Sequence, residues 1–366
     1  VIGRCSDMKK LHVAIIGLGK ISGIYLENLN GMFKKQVELV GVTDLIQERA
    51  KEVAETYQVK QYASVEELLG DPSVELVLNL TTPQSHFALC KQVLEAGKHV
   101  YVEKPLSLTA EEASALVQLA KEKHLVLGGA PDTFLGSGIQ TCRKLIDDGW
   151  IGRPVAASAF MMNHGHEGWH PDPEFYYQTG GGPLFDMGPY YITALINLLG
   201  PVQSVAGYAQ KSFPERIITS EPKRGKVIDV GVDTHIAGLL QFRSGCIATL
   251  VTSFDVWKHS MPSIEIYGTE GSLRVPDPNT FGGPISYCRM GAKEWTDIPL
   301  LFDYPENSRG LGIADIAEAI ERGREHRASG DLARHVVDVM ESILKASHGH
   351  EQVRLSSTCE QPSPRK

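Results

Sequence analysis

A two-domain α/β protein is predicted, with a doubly wound parallel sheet first and a largely antiparallel sheet second. Three features of the sequence carry this expectation. From Leu11 to about Gly129, short β-rich runs alternate with amphipathic segments, the order that builds a parallel sheet flanked by helices. Between Val202 and Val275, β runs follow one another in hairpin-like succession, which favours antiparallel pairing. The length, 366 residues, exceeds what one hydrophobic core usually supports. The expected division is 8–130 and 131–355.

In the first domain the strands are read as Leu11 to Ile16, Val37 to Thr43, Val74 to Leu80, His99 to Glu103 and Leu125 to Leu127, with helices between them. Ser64 with Glu67, and Thr109 with Glu112, have the S/T-x-x-E spacing of a capping box. Gly97 follows the apolar-periodic segment His86 to Ala96 as a left-handed helix stop. Beyond Pro131 the reading gives a helix at Ser137 to Asp148, a strand near Val155 to Phe160 and a helix from Met187 to Leu199. The β runs are Val202 to Gln210, Thr234 to Phe242, Cys246 to Phe254, Ser263 to Tyr267 and Ser272 to Val275. Helices at Ile313 to Arg322 and Leu332 to Ser347 follow, and Ser356 to Lys366 reads as a polar tail. Met161 and Met162 are assigned to core.

Composition narrows the function classes. With 42% hydrophobic and 22% charged residues the chain is globular, and a formal charge of −8 gives no general attraction for nucleic acid. No apolar run spans a bilayer and the start lacks a signal-peptide core, so no membrane association and a cytoplasmic location are expected. Cys5, Cys90, Cys142, Cys246, Cys288 and Cys359 form no CxxC pair and are read as reduced and mostly structural. Residues 1–7 carry no periodic pattern and are given no function.

Gly17-Leu18-Gly19-Lys20-Ile21-Ser22 lies between a predicted strand and a predicted helix, the context of a dinucleotide-binding turn. Gly17 permits the tight turn and Gly19 lets backbone approach a pyrophosphate. The helix start after Lys20 and Ile21 offers free amides and a positive dipole end to that anion. Ser22 stands where a third glycine is usual and is small enough for close helix packing. Asp44 ends the second strand, where a carboxylate accepts hydrogen bonds from the adenosine ribose and repels a 2′-phosphate, so NAD is favoured over NADP.

Three further segments occur in order: Thr81-Thr82-Pro83 with His86, Glu103-Lys104-Pro105, and Gly180-Gly181-Gly182 followed by Asp186-Met187-Gly188. With the glycine turn they resemble the Gfo/Idh/MocA oxidoreductase family, the glucose-fructose oxidoreductase and inositol dehydrogenase type, over nearly the whole chain. The resemblance implies an N-terminal Rossmann domain that binds NAD and a C-terminal α/β domain with an open, mostly antiparallel sheet. That second domain would bind substrate and form a homo-oligomer, a dimer, tetramer or larger, through its sheet. It implies hydride transfer between a nicotinamide and a secondary hydroxyl of a sugar, glycoside or cyclitol. Residue by residue, Lys104 matches the catalytic lysine, Glu103 lies where the nicotinamide end is contacted, and Thr81, Thr82, Pro83 and His86 match the loop beside the nicotinamide ribose. Asp186 matches the acid that binds substrate hydroxyls. Where the family most often has a histidine as acid-base, this chain has Tyr190, as glucose-fructose oxidoreductase does.

Oxidising a secondary alcohol removes a proton from oxygen while hydride leaves carbon, so a base and an electrostatic stabiliser are needed. Lys104 and Tyr190 suit these roles, because an adjacent ammonium favours phenolate and stabilises a developing alkoxide. The stretch from His164 to Pro171 gathers His166, Trp169 and His170 as candidate sugar-binding groups, with His170 the second choice for the acid-base. No metal is expected. Asp132 and Thr133 are read either as facing the cofactor or substrate, or as a domain hinge. Two other functions stay open: a glycosidase that uses held NAD for transient oxidation, and a nicotinamide-binding protein without catalysis.

Overall fold

The computed structural model describes residues 9–365. The readings made for residues 1–7 with Cys5, for Met8 as a domain start and for Lys366 lie outside the described residues. The chain forms two compact units, one of residues up to Asp132 with Asn307–Ala333, the other of Thr133–Glu306 with residues from Arg334 onward.

The first unit begins with β1 (Leu11–Ile16), α1 (Ser22–Asn30), β2 (Val37–Thr43), α2 (Gln47–Tyr57), β3 (Lys60–Gln61) and α3 (Val65–Gly70). It continues with β4 (Leu76–Asn79), α4 (Pro83–Glu95), β5 (His99–Val102), α5 (Ala110–Glu122) and β6 (Leu127–Gly129). The sheet is parallel throughout, in the order β3-β2-β1-β4-β5-β6. The order reverses between β1 and β4, so the carboxyl ends of these strands flank the switch point where ligands bind in open α/β sheets. Val13, Ile15, Leu76, Leu78 and Val100 are fully buried along the central strands.

β1 and β2 have their predicted bounds. β6 starts two residues later than the sequence suggests, because the Leu125 amide bonds back to the Ala120 carbonyl at 2.9 Å and finishes the preceding helix. Both predicted capping pairs form. Ser64 Oγ and Thr109 Oγ1 accept from the amides of Glu67 and Glu112, each at 3.2 Å. Glu67 and Glu112 in turn accept from the amides of Ala63 and Leu108. Gly97, after α4, has φ +76°.

The second unit holds α6 (Ser137–Asp147), β7 (Pro154–Met162), α7 (Gly182–Leu199), β8 (Val202–Gln210), β9 (Glu215–Ile217), β10 (Val227–Asp229), β11 (His235–Phe242) and β12 (Ile247–Ser253). β13 (Ile264–Gly268), β14 (Gly271–Val275), β15 (Ile285–Arg289) and β16 (Thr296–Ile298) follow. α8 (Leu311–Arg322) then belongs to the first unit, while most of α9 (Gly330–Gly349) and all of β17 (Val353–Arg354) belong to the second. The nine-stranded sheet runs β16-β15-β14-β13-β7-β12-β11-β8-β17 and is antiparallel except for β7 with β12. α7 packs on β7, β11 and β12, and Ile343 of α9 reaches the glycines of β8 and β11.

Two expectations change here. α7 starts at Gly182 rather than Met187, because Pro183 occupies the first turn, where its fixed φ suits a helix and its missing amide costs nothing. The C-terminal segment is packed rather than a free tail. Arg143 donates to the Pro362 carbonyl at 3.0 Å, and the amides of Ser357 and Arg365 bond to Asp338 and Gln140.

Candidate functional site

In the first unit every predicted cofactor residue lies in a turn or helix start at the carboxyl ends of β1, β2, β4 and β5. Gly17 has φ +92°, and a Cβ there would stand 2.9 Å from the backbone of Leu80, so only glycine fits. A Cβ on Gly19 would meet nothing within 4 Å, which leaves its backbone open to a ligand. α1 has Ile21 at its N-cap and no side-chain cap, so beyond the Ser22 amide, which bonds to the Gly19 carbonyl, its first amides are available to a diphosphate. Ser22 is buried and bonds to the Gly19 carbonyl at 2.7 Å, while Lys20 is exposed. Asp44 accepts from the amides of Leu18 (2.6 Å) and Ile46 (2.7 Å), one on each oxygen. Each oxygen keeps a lone pair for a further donor. The turn therefore fits a nicotinamide dinucleotide.

Beyond β4, Thr81 is held through Asn79 (Oγ1 to Oδ1, 2.7 Å), and Thr82 and Pro83 form the cap and first residue of α4. His86 is fully buried, its Nε2 3.0 Å from the Thr81 carbonyl and its Nδ1 2.7 Å from that of Pro105. It ties the loops after β4 and β5 together. Burial holds its pKa below the ordinary value, against the pull of the two carbonyls and of Glu103. Glu103 is buried and accepts from Tyr25 Oη (2.8 Å) and from the Lys104 amide (2.9 Å). Lys104 is half-buried and its bond to Pro105 is cis. The turn that carries Lys104 is thus pinned by Glu103 on one side and His86 on the other.

Asp132 is 1% exposed and its Oδ2 accepts from the amides of Gly310 (2.9 Å) and Gly312 (3.0 Å) at the start of α8. Asn28 donates to the carbonyls of Asn307 and Arg309. These two residues seat the segment 307–312, a role for Asp132 that the sequence reading did not foresee.

In the second unit, Asp186 and Tyr190 are one turn apart on α7, with Tyr190 buried. His166, from the segment after β7, brings its Nε2 within 3.4 Å of Asp186 Oδ2. Its ring stacks on Tyr176 at 3.8 Å and lies 5.3 Å from Trp169, which is 57% exposed. His170 accepts from the Asp172 amide at Nδ1 and meets Trp169 edge to face at 5.4 Å. The expected sugar-binding side chains His166, Trp169 and His170 therefore form one aromatic cluster beside Asp186. Tyr191 faces elsewhere, its hydroxyl pKa pushed up by burial and Asp277.

Several supporting residues had no signal in the sequence. Arg216 of β9 is buried, donates to Glu167 at 2.8 Å and to the Phe254 carbonyl at 2.8 Å, and pairs with Asp255. Glu167 also accepts from Tyr177 Oη, and together these contacts fix the His164 to Tyr177 segment. Partners 39 and 49 residues apart leave no local pattern to read. Gly165 was the one available hint, since at φ +86° a Cβ would stand 2.1 Å from Tyr177 Oη. Among the described residues no cluster of three or more metal-binding side chains occurs, and no helix is long and apolar enough to cross a membrane.

Comparison with known proteins identifies the family. Residues 11–129 match an oxidoreductase family with an NAD-binding Rossmann fold, and residues 139–274 match the GFO/IDH/MocA C-terminal domain. The chain is 33% identical to the 1,5-anhydro-D-fructose reductase of Ensifer adhaerens over 278 residues, covering 74% of this chain and 77% of that one. It is 25% identical to the myo-inositol 2-dehydrogenase of Thermotoga maritima over 264 residues, covering 72% and 74%. In fold it is similar to levoglucosan dehydrogenase in complex with NADH, with a TM-score of 0.81 at 20% identity, over 95% of this chain and 100% of that one. The chain belongs to the GFO/IDH/MocA family of nicotinamide-binding oxidoreductases.

Proposed function

We propose that the protein is an NAD-dependent dehydrogenase or reductase acting between a secondary hydroxyl of a sugar, glycoside or cyclitol and the corresponding carbonyl. The observation that carries this reading is the gathering of the Gly17–Ser22 turn, Asp44, the Thr81–Pro83 loop and the pinned Lys104 turn at the carboxyl ends of adjacent strands. NAD rather than NADP is supported by Asp44, which two backbone amides hold at the end of β2, where a 2′-phosphate would be repelled. Leu45 and Ile46 beside it are exposed apolar residues suited to cover an adenine ring. A sugar-like substrate is supported by the Trp169, His170 and Tyr176 cluster, whose aromatic faces suit sugar C–H surfaces and whose polar edges suit hydroxyls. The relatives named as acting on 1,5-anhydro-D-fructose and myo-inositol point the same way.

In this reading the nicotinamide, when bound, supplies the hydride acceptor. The Lys104 ammonium stabilises negative charge on the carbinol oxygen, Asp186 orients a substrate hydroxyl, and Tyr190 exchanges the proton. The second domain is proposed to bind substrate and to meet a second copy through its sheet. Purified protein is mixed with NAD or NADP and a panel of sugars, glycosides and inositols, following absorbance of the reduced nicotinamide and release of aglycone. Build-up of NADH with one polyol class is expected. Aglycone release without net NADH would replace the reading with a redox-assisted glycosidase. Lys104→Ala is expected to lower kcat/KM by about 100-fold or more while NAD affinity, measured by calorimetry, changes little.

A further inference from the structure

Asp186 has one partner whose geometry is informative, the imidazole of His166. That ring is 7% exposed, stacked on Tyr176 with an interplanar angle of 15° and touched edge-on by Phe254 at 4.7 Å. Its two nitrogens are in opposite situations. Nε2 lies 3.4 Å from Asp186 Oδ2, whereas Nδ1 is buried with no hydrogen-bond partner among the described residues. A proton on Nδ1 would be a buried donor without an acceptor, which costs more than an idle lone pair in the same place. Of the two tautomers, the one with its hydrogen on Nε2 is the one these surroundings accept. The ionisable groups around it are Asp186 from α7, Tyr176, Tyr177 and Glu167 from its own segment, and Arg216 behind Glu167.

We propose that His166 is a positioning residue for Asp186: the stacked ring presents its Nε2 to the carboxylate and fixes its orientation toward one substrate hydroxyl. Contacts of this length at substrate-binding groups commonly tighten to a full hydrogen bond in the substrate complex. His166 then governs which polyol is held in the reactive pose, while proton exchange stays with another group. This assignment rests on the proposed dehydrogenase function, but part of its test does not.

In the 15N spectrum of the cofactor-free protein, His166 is expected to show a protonated Nε2 and an unprotonated Nδ1 at neutral pH, and Asp186→Asn is expected to shift both resonances. The opposite tautomer, or resonances indifferent to Asp186→Asn, would overturn the proposal even if no substrate had been found. In turnover, His166→Phe keeps a flat stacking ring without the donor. It is expected to raise KM for the preferred polyol about tenfold, with a smaller change in kcat and unchanged NAD affinity. His166→Gln restores an N–H donor and is expected to recover part of that loss. A His166→Phe enzyme with wild-type KM would overturn the positioning role and leave the dehydrogenase reading intact. Wild type that turns over no polyol would remove that reading while the spectrum still decided the His166–Asp186 pair.

Discussion

Asp132 shows how burial at a single residue sets a pH dependence. Its carboxyl pKa is raised to about 6, first by burial and to a lesser extent by Glu103, against the lowering effects of the Gly312 and Gly310 amides and Arg309. A carboxyl whose folded pKa is raised stabilises most below its unfolded pKa, near 4, and that contribution is lost as pH rises through about 6. Asp132→Asn retains a carbonyl oxygen for the two glycine amides and cannot ionise. The stability of the variant relative to wild type is therefore expected to improve by up to about 3 kcal/mol between pH 4 and pH 7.5, read from urea denaturation at both values. A difference that stays constant across that range would mean Asp132 does not carry the shift. Lys104 and Asp186 stand in short motifs, whereas the part Asp132 plays, and Tyr25 and Arg216 altogether, have no such signal. What defines these three is a partner far away in the chain, which a local pattern cannot encode.

At the scale of elements, the parts that sequence reading found are those whose stability is written locally. Thr109 caps α5 through four consecutive residues, and both halves of the box appear in the sequence. Thr109→Ala is expected to cost about 1 kcal/mol in urea denaturation, and Thr109→Ser to restore most of it. Equal stability of the alanine variant would show that other contacts carry the start of α5. The missed elements depend on tertiary contacts. β3 and β17 are two residues long and exist by pairing with β2 and β8, so no periodicity announces them. The C-terminal segment read as a tail because its residues are polar, yet its anchors are polar too: Ser356 and Ser357 bond to Asp338, and Arg143 reaches the Pro362 carbonyl. α8 was read as a helix at nearly the right place. It joins the first unit by packing on β6 and β2, with Ile316 against Gly128, and by the hydrogen bonds of Asp132 and Asn28 to the segment before it, which no hydrophobic pattern reports.

At the scale of the whole molecule, the nine-stranded sheet has one face packed under α7 and α9 and another that carries Phe160, Met162, Ala206, Tyr208, Ala237, Leu239, Ile247 and Val251. The register places these residues side by side, Ala237 opposite Tyr208 and Val251, Leu239 opposite Ala206, and Val251 opposite Phe160. Tyr208 is 73%, Leu239 51% and Ile247 52% exposed. Ser158, Ser204, His235, Gln241 and Thr249 share this face, so the apolar side chains form an interrupted patch, and we propose its exposed part, Tyr208, Leu239 and Ile247, as a surface that a second copy covers. On β7, β8, β11 and β12 this face carries no Asp, Glu, Lys or Arg, which suits self-association of identical sheets about a two-fold axis. Wild-type protein is expected to sediment as a dimer or a multiple of it at micromolar concentration, with a Tm that rises with concentration. Replacing Leu239 with Glu and Tyr208 with Lys together puts two charges into the centre of that face. The double variant is expected to sediment as a monomer with its fold retained by circular dichroism, since neither side chain reaches the buried side of the sheet. A wild type that is already monomeric at tens of micromolar would remove the sheet as an oligomer interface. An oligomeric double variant would move the interface to another surface.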